Sequence, residues 1–139
     1  MSDSPIEQLL EEFHKLDVDG AVALFAPDVQ VLLMDGSRGE GVEPARELMT
    51  SSLGQLRAAA YQVTAQWHVD DTWIAEVEAT YELRDYLELE SIPRLFVVRA
   101  NAAGIVELRI YGAHERRLAE HGSPGEGGVR VGGRWMPPL

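Results

Sequence analysis

The sequence predicts an α+β fold in which a strongly curved antiparallel sheet wraps around three N-terminal helices as a cone. Apolar residues recur at helical spacing in the first part of the chain, and from Tyr61 onward they alternate with a period of two. Helices followed by a long sheet can bury their apolar sides together when the sheet curls around the helices. A sheet curved in this way leaves a concave mouth, so the pattern also predicts a hollow for a small apolar molecule.

The first helix has a clear start. Ser4 and Glu7 have capping-box spacing, and Pro5 occupies the first helical position, where its missing N–H costs nothing. Its predicted buried stripe consists of Ile6, Leu9, Leu10, Phe13 and Leu16.

Two further helices and a strand follow. Asp17 is the predicted cap of a short helix that includes Phe25 and stops before Pro27. Residues 29–33 alternate as a strand, the glycines of residues 36–41 indicate a loop, and Pro44 starts the third helix.

Four β-rich runs complete the predicted sheet. They are residues 61–69, residues 73–89 with a bend or bulge midway, residues 92–100, and residues 105–114 after a hairpin turn at 101–104. In the third run Leu95 and Val97 face one way while Phe96 and Val98 face the other. A strand that is apolar on both sides has both sides covered as a rule, so we expect a homodimer through the outer face of the sheet.

Composition excludes several classes of function. The 139 residues are 45% hydrophobic and carry a net charge of −11, which disfavours nucleic acids and anionic membranes. The chain has no cysteine, no apolar segment of membrane-spanning length and no signal-peptide pattern, so we expect a cytoplasmic protein. Residues 1–121 are predicted as one cone domain, and residues 122–139 as a Gly/Pro-rich tail that docks, with Trp135 as the candidate anchor.

Three segments resemble the nuclear transport factor 2-like superfamily, in its SnoaL-like and ketosteroid-isomerase-like branches. They are D-V-D-G-A-V-A-L-F-A-P-D (17–28), the helix within 41–53, and N-A-A-G-I-V-E-L-R-I-Y (101–111). The resemblance implies a cystatin-like cone. It leaves activity open, because the superfamily contains isomerases, cyclases, epoxide hydrolases, dehydratases and non-enzymatic binders.

The resemblance also argues against two activities. Aligned without gaps, Leu9, Leu33 and Phe96 stand near the isomerase's tyrosine, aspartate base and protonated aspartate. All three are apolar, so the isomerase's proton shuttle is expected to be absent and the three are expected to line the cavity. The Arg-x-Asp pair of the epoxide hydrolases is not matched, because Arg84 directly precedes Asp85. Asp85 with His114 matches, in residue type alone, the acidic residue and histidine of the cyclases.

Asp85, His114 and Tyr81 are the candidate catalytic residues. Alternation places Asp85 on the apolar face, where its pKa would rise and suit a general acid or base; a bulge would instead turn it into solvent. His114 shares the parity of the inward residues of the last strand and is either a proton donor or acceptor or an ordinary strand-end residue. Tyr81 is predicted to hydrogen-bond an oxygen of the guest.

Asp35, Tyr61 and Trp67 are further candidate ligand-binding residues. Asp35 continues the strand alternation toward the cavity mouth, but Asp-Gly is also a common turn pair. Tyr61 and Trp67 fall on the predicted inward face, where aromatic residues also serve simply as core. Neither a metal site nor a cofactor is expected, because the chain has no His and carboxylate spacing typical of one and no Gly-rich phosphate loop.

The sequence therefore predicts a protein that binds a small, mostly apolar cyclic ligand. Cofactor-independent acid–base chemistry of the isomerase, cyclase, dehydratase or hydrolase type is one extension of this role. A non-catalytic carrier or homodimerisation module is the alternative, and the sequence leaves open whether the chain is an enzyme.

Overall fold

The computed structural model describes residues 4–84, 89–112, 129–131 and 134–136. The described helices are α1 (Pro5–His14), α2 (Val18–Val22) and α3 (Val42–Gly54). The described strands are β1 (Phe25–Leu32), β2 (Arg38–Glu40), β3 (Leu56–Val69), β4 (Thr72–Leu83), β5 (Leu89–Asn101), β6 (Gly104–Gly112), β7 (Val129–Val131) and β8 (Arg134–Met136).

One six-stranded sheet, in the order β2-β1-β6-β5-β4-β3, carries the fold. All neighbouring pairs are antiparallel except β1 and β6, which run parallel, so the sheet is mixed rather than wholly antiparallel. The helices pack on its inner face, where they share one core with the inward side chains. The predicted α+β cone is confirmed.

The start of the first helix is as predicted. Ser4 caps α1, because its Oγ accepts the backbone N–H of Glu7 at 3.3 Å. Ile6, Leu9, Leu10 and Phe13 are all buried.

The second helix is shorter than predicted. The side chain of Asp17 caps it by accepting the N–H of Gly20, but the helix ends at Val22 and Phe25 already begins β1. Pro27 lies within β1, in the stretch between Phe25 and Gln30 where the ladder to β6 is irregular, so its missing N–H breaks no regular pairing. The predicted loop between β1 and α3 contains the short strand β2.

The predicted strand over residues 73–89 is wrong. β4 ends at Leu83, and Leu89 belongs to β5, where it lies opposite Glu82 in an antiparallel ladder. β3 begins at Leu56, five residues earlier than the alternation indicated. The hairpin between β5 and β6 is as predicted, with Asn101 opposite Gly104.

A bulge in β3 reverses the facing of its second half. Val63 lies opposite Val77 but Ala65 lies opposite Glu76, so Thr64 is an extra residue. Beyond it Gln66, not Trp67, faces the helices, and its side chain bonds those of Ser4 and Glu7. Trp67 is 50% exposed on the outer face, so its predicted inward orientation is wrong.

The C-terminal tail is described in two short pieces. β7 and β8 pair antiparallel with each other as a separate two-stranded sheet. Trp135 belongs to β8, and the docking of the tail stays a prediction.

Candidate ligand cavity

A cavity of about 320 Å³ opens between the inner face of the sheet, the ends of α1 and α3, and the connection from β1 to β2. Among the described residues, its apolar lining comprises Phe13, Leu33, Met34, Met49, Leu53, Leu56, Phe96 and Ile110. The polar lining residues in the same ranges are Asp35, Ser52, Gln55, Tyr61, Tyr81 and Arg94. A mostly apolar hollow with a few polar groups is typical of a small-molecule site.

Two tyrosines from adjacent strands form one wall. Tyr61 of β3 and Tyr81 of β4 are half-buried, and their rings meet edge to face with centroids 5.9 Å apart at 79°. Phe13 of α1 packs against Tyr61 at 6.2 Å between centroids. The wall therefore consists of aromatic rings from α1, β3 and β4.

Arg94 lies on the inner face of the sheet, contrary to what the sequence predicts. The alternation predicts that an acidic outer stripe pairs across strands with arginines; its members are Glu76, Glu78 and Glu82, and the expected partners are Arg94, Arg99 or Arg109. In the structure Arg94 faces inward beside Val77 and is 3% exposed, and its guanidinium carbon lies 5.6 Å from the centroid of the Tyr81 ring. The parity of β5 contained the signal, because Arg94 shares it with the inward residues Phe96 and Val98.

The outer acidic residues have other partners. Glu82 forms an ion pair with Arg57, and Glu78 accepts a hydrogen bond from Ser91 at 2.6 Å. Arg99 and Arg109 both pair with Glu107 of β6.

Asp35 lies in the predicted turn and at the cavity entrance, and its role in ligand binding stays a prediction. Its Oδ1 accepts the backbone N–H of Ser37 at 2.9 Å, which is the predicted turn role. It also lies in the cavity lining, where it is exposed at the entrance.

Apart from Trp67, which faces outward, the other candidate residues divide into three groups. Leu33, Tyr61, Tyr81 and Phe96 lie in the cavity wall. Leu9 is fully buried in the core and is not among the lining residues, because α1 presses it against the sheet. Asp85 and His114 lie outside the described residues, so their roles stay predictions.

The described part of the chain contains no group of three or more His, Asp or Glu side chains that could hold a metal ion. Within the same ranges, no helix combines the length and apolarity needed to cross a bilayer.

Comparisons of sequence alone do not assign the chain to a family. Neither a protein-family model nor a curated protein matches it. Its fold, however, matches solved structures closely.

A protein with a ketosteroid-isomerase-like fold from Catenulispora acidiphila, in complex with trimethylamine, superimposes with a TM-score of 0.77 at 14% identity, over 91% of this chain and 98% of that one. A candidate SnoaL-like polyketide cyclase from Jannaschia sp. gives a TM-score of 0.69 at 12% identity, over 84% and 85%. An LEH-like epoxide hydrolase from M. tuberculosis gives 0.65 at 15% identity, over 78% and 79%.

The chain has the nuclear transport factor 2-like fold. The resemblance seen in the sequence is thus confirmed at the level of architecture. Because the matched structures include a candidate cyclase and an epoxide hydrolase, the cone itself does not determine the chemistry, and any function of this chain depends on its own cavity residues.

Proposed function

We propose that the chain binds a small, mostly apolar cyclic molecule in the cavity between α1, α3 and the sheet. The observation that supports this is the cavity itself, because a volume of about 320 Å³ lies within the usual range of ligand sites. The aromatic wall of Phe13, Tyr61 and Tyr81 offers ring faces to a cyclic guest.

Adjacent serines on α3 provide a matched test of this site. Ser51 and Ser52 are both exposed, and only Ser52 lines the cavity. The probe is 2-naphthol, a neutral two-ring molecule, titrated by calorimetry. Ser52→Trp should weaken its binding about tenfold or more by covering the entrance, whereas Ser51→Trp should leave it unchanged. No saturable binding to the wild-type chain, or equal binding to both variants, would refute the proposal.

A catalytic extension of the proposal uses acid–base chemistry. Tyr81 would polarise an oxygen of the substrate while Asp85 moves a proton, with His114 as the second candidate acid or base. The substrate would be sought by mass spectrometry of compounds that co-purify with the chain. Replacing Asp85 with Asn should then abolish turnover and leave affinity nearly unchanged; unaltered turnover rejects the role.

A non-catalytic carrier is the second candidate. Leu33 and Phe96 favour this role. They align near the positions of the acidic residues of the isomerase branch, but here they are apolar side chains in the cavity wall. If the co-purifying compound is recovered unchanged after prolonged incubation with the chain, the carrier role is preferred.

We also propose that a second copy of the chain covers the outer face of the sheet. Trp67, Ile74 and Val97 lie side by side across β3, β4 and β5 on that face, and Trp67 is half exposed. Burying such a patch against its own copy removes apolar surface from water. Sedimentation should show a dimer for the wild-type chain and for Thr50→Arg on α3, and a monomer for Val97→Arg. A wild-type monomer at micromolar concentration excludes this interface.

A further inference from the structure

The inner face of the sheet contains a buried cation. Arg94 is 3% exposed and belongs to the cavity lining. Burial of an arginine costs free energy unless charge-stabilising contacts offset it, and the guanidinium does not lose its proton at ordinary pH. A permanent positive charge is therefore held at the wall of a mostly apolar hollow.

The surrounding residues are shaped to hold this side chain. The guanidinium lies over the Tyr81 ring, itself a cavity residue. On the other side Gly112 lies opposite Arg94 on β6. A Cβ at Gly112 would stand 3.2 Å from both Cδ and Nη1 of Arg94 and 2.8 Å from the carbonyl oxygen of Pro93. The glycine thus leaves the space that the arginine fills, and its φ of +152° also favours glycine.

The two charged side chains of the described lining lie at different depths in the cavity. Asp35 and Arg94 are the charged groups among the described lining residues. The carboxylate of Asp35 is exposed at the entrance and is engaged with the backbone of Ser37, whereas Arg94 is buried. A ligand that enters the hollow therefore meets a cation in a medium where charge interactions are weakly screened.

We propose that Arg94 makes the cavity selective for ring compounds that carry a carboxylate. This rests on the proposed function, since it names the class of ligand that the same cavity binds. Guanidinium presents five N–H donors in a planar fork that matches the two oxygens of a carboxylate, so it can keep a protein contact and still bind the ligand. The net charge of −11 opposes anions only weakly at a distance, because salt screens charges that lie more than about 8 Å apart.

A matched pair of probes tests the proposal on the wild-type chain. The anion 2-naphthoate and its neutral amide, 2-naphthamide, share one ring system and nearly one shape. We expect naphthoate to bind about tenfold more tightly at pH 7, the factor that one charge-assisted contact supplies. If naphthamide binds and naphthoate binds no better, the carboxylate preference is wrong while cavity binding survives. If neither probe nor 2-naphthol binds, cavity binding itself is wrong, and the preference falls with it.

Two arginines of β5 supply the variants. Arg94→Met should abolish the preference and leave the affinity for naphthamide nearly unchanged, and Arg94→Lys should keep part of it. Arg99→Met is the control, because Arg99 is exposed and pairs with Glu107. If Arg94→Met prefers naphthoate over naphthamide as strongly as the wild-type chain does, the proposal is wrong. Should that variant fail to fold, the wild-type chain is titrated with a cationic probe of the same ring system, 2-naphthyltrimethylammonium. If this cation binds more tightly than naphthoate, the carboxylate preference is wrong.

Discussion

Two inward residues of β5, four positions apart, have opposite surroundings. Val98 lies opposite Leu108 and is fully buried, at the packed end of the cone. Arg94 lies opposite Gly112 and lines the cavity. The same strand, with the same alternation, thus has a packed end and a hollow end. The contrast teaches that alternation decides which side chains of β5 face inward, whereas the position along the cone decides whether they meet packed core or the cavity.

The largest expected effect is at the packed end. Leu108→Ala should lower the free energy of unfolding by about 3 kcal/mol, because the surrounding core cannot close the void. Ile110→Ala, two residues along β6 and already beside the cavity, should cost about half as much because it has fewer packing partners to lose. Urea denaturation measures both. Equal costs would show that the two ends are packed alike.

Much of this architecture was predictable from residue spacing. The capped start of α1 and the hairpin between Asn101 and Gly104 depend on local signals, which are present in a single sequence. The alternation of β3 and β4 likewise indicated the inward sides of Tyr61 and Tyr81, both of which line the cavity.

The remaining features depend on contacts that are distant in sequence. The bulge at Thr64 is one residue without a compositional signal, yet it exchanges the facing of Trp67 and Gln66. Parallel pairing of β1 with β6 joins strands separated by about half of the chain, so local patterns could not predict it. Arg94 was misjudged because an arginine among acidic strands is expected at the surface, and the space that Gly112 leaves for it is visible only in the ladder.

Smaller effects are expected at the two ends of α1, where one substitution should lower stability alone and the other should weaken ligand binding. Ser4 ties the start of the helix to Gln66, and Nδ1 of His14 donates to the carbonyl oxygen of Ala59 at 2.8 Å beside the cavity residue Phe13. Ser4→Ala should cost about 1 kcal/mol through the lost cap without changing the affinity for 2-naphthol. His14→Ala should weaken that affinity a few-fold, since the wall held by Phe13 loosens. The same affinity in both variants would argue against this division.

The smallest effect concerns the outer side of β6, because Leu108 faces inward and the adjacent residue faces outward. That residue, Glu107, pairs with Arg109 and Arg99. Partial burial acts to raise the pKa of Glu107, but the hydrogen bonds and charges of Arg109 and then Arg99 together lower it below its usual 4.5. A carboxylate whose pKa is lower in the folded state stabilises the fold above the unfolded pKa and loses that contribution as pH falls through the folded pKa.

Glu107→Gln should therefore lower stability by about 0.5 kcal/mol at pH 7, the size expected of a surface ion pair. The difference from the wild-type chain should shrink as the pH falls below 4.5, where the wild-type carboxylate takes up a proton. Urea titrations at neutral and acidic pH measure it. Glu47→Gln is the control, because Glu47 is exposed on α3 and forms no ion pair within the described ranges. A difference that grows in acid would mean that Glu107 is held as a neutral group, and the contrast between an apolar inner and an ionic outer side of β6 would fail at this residue.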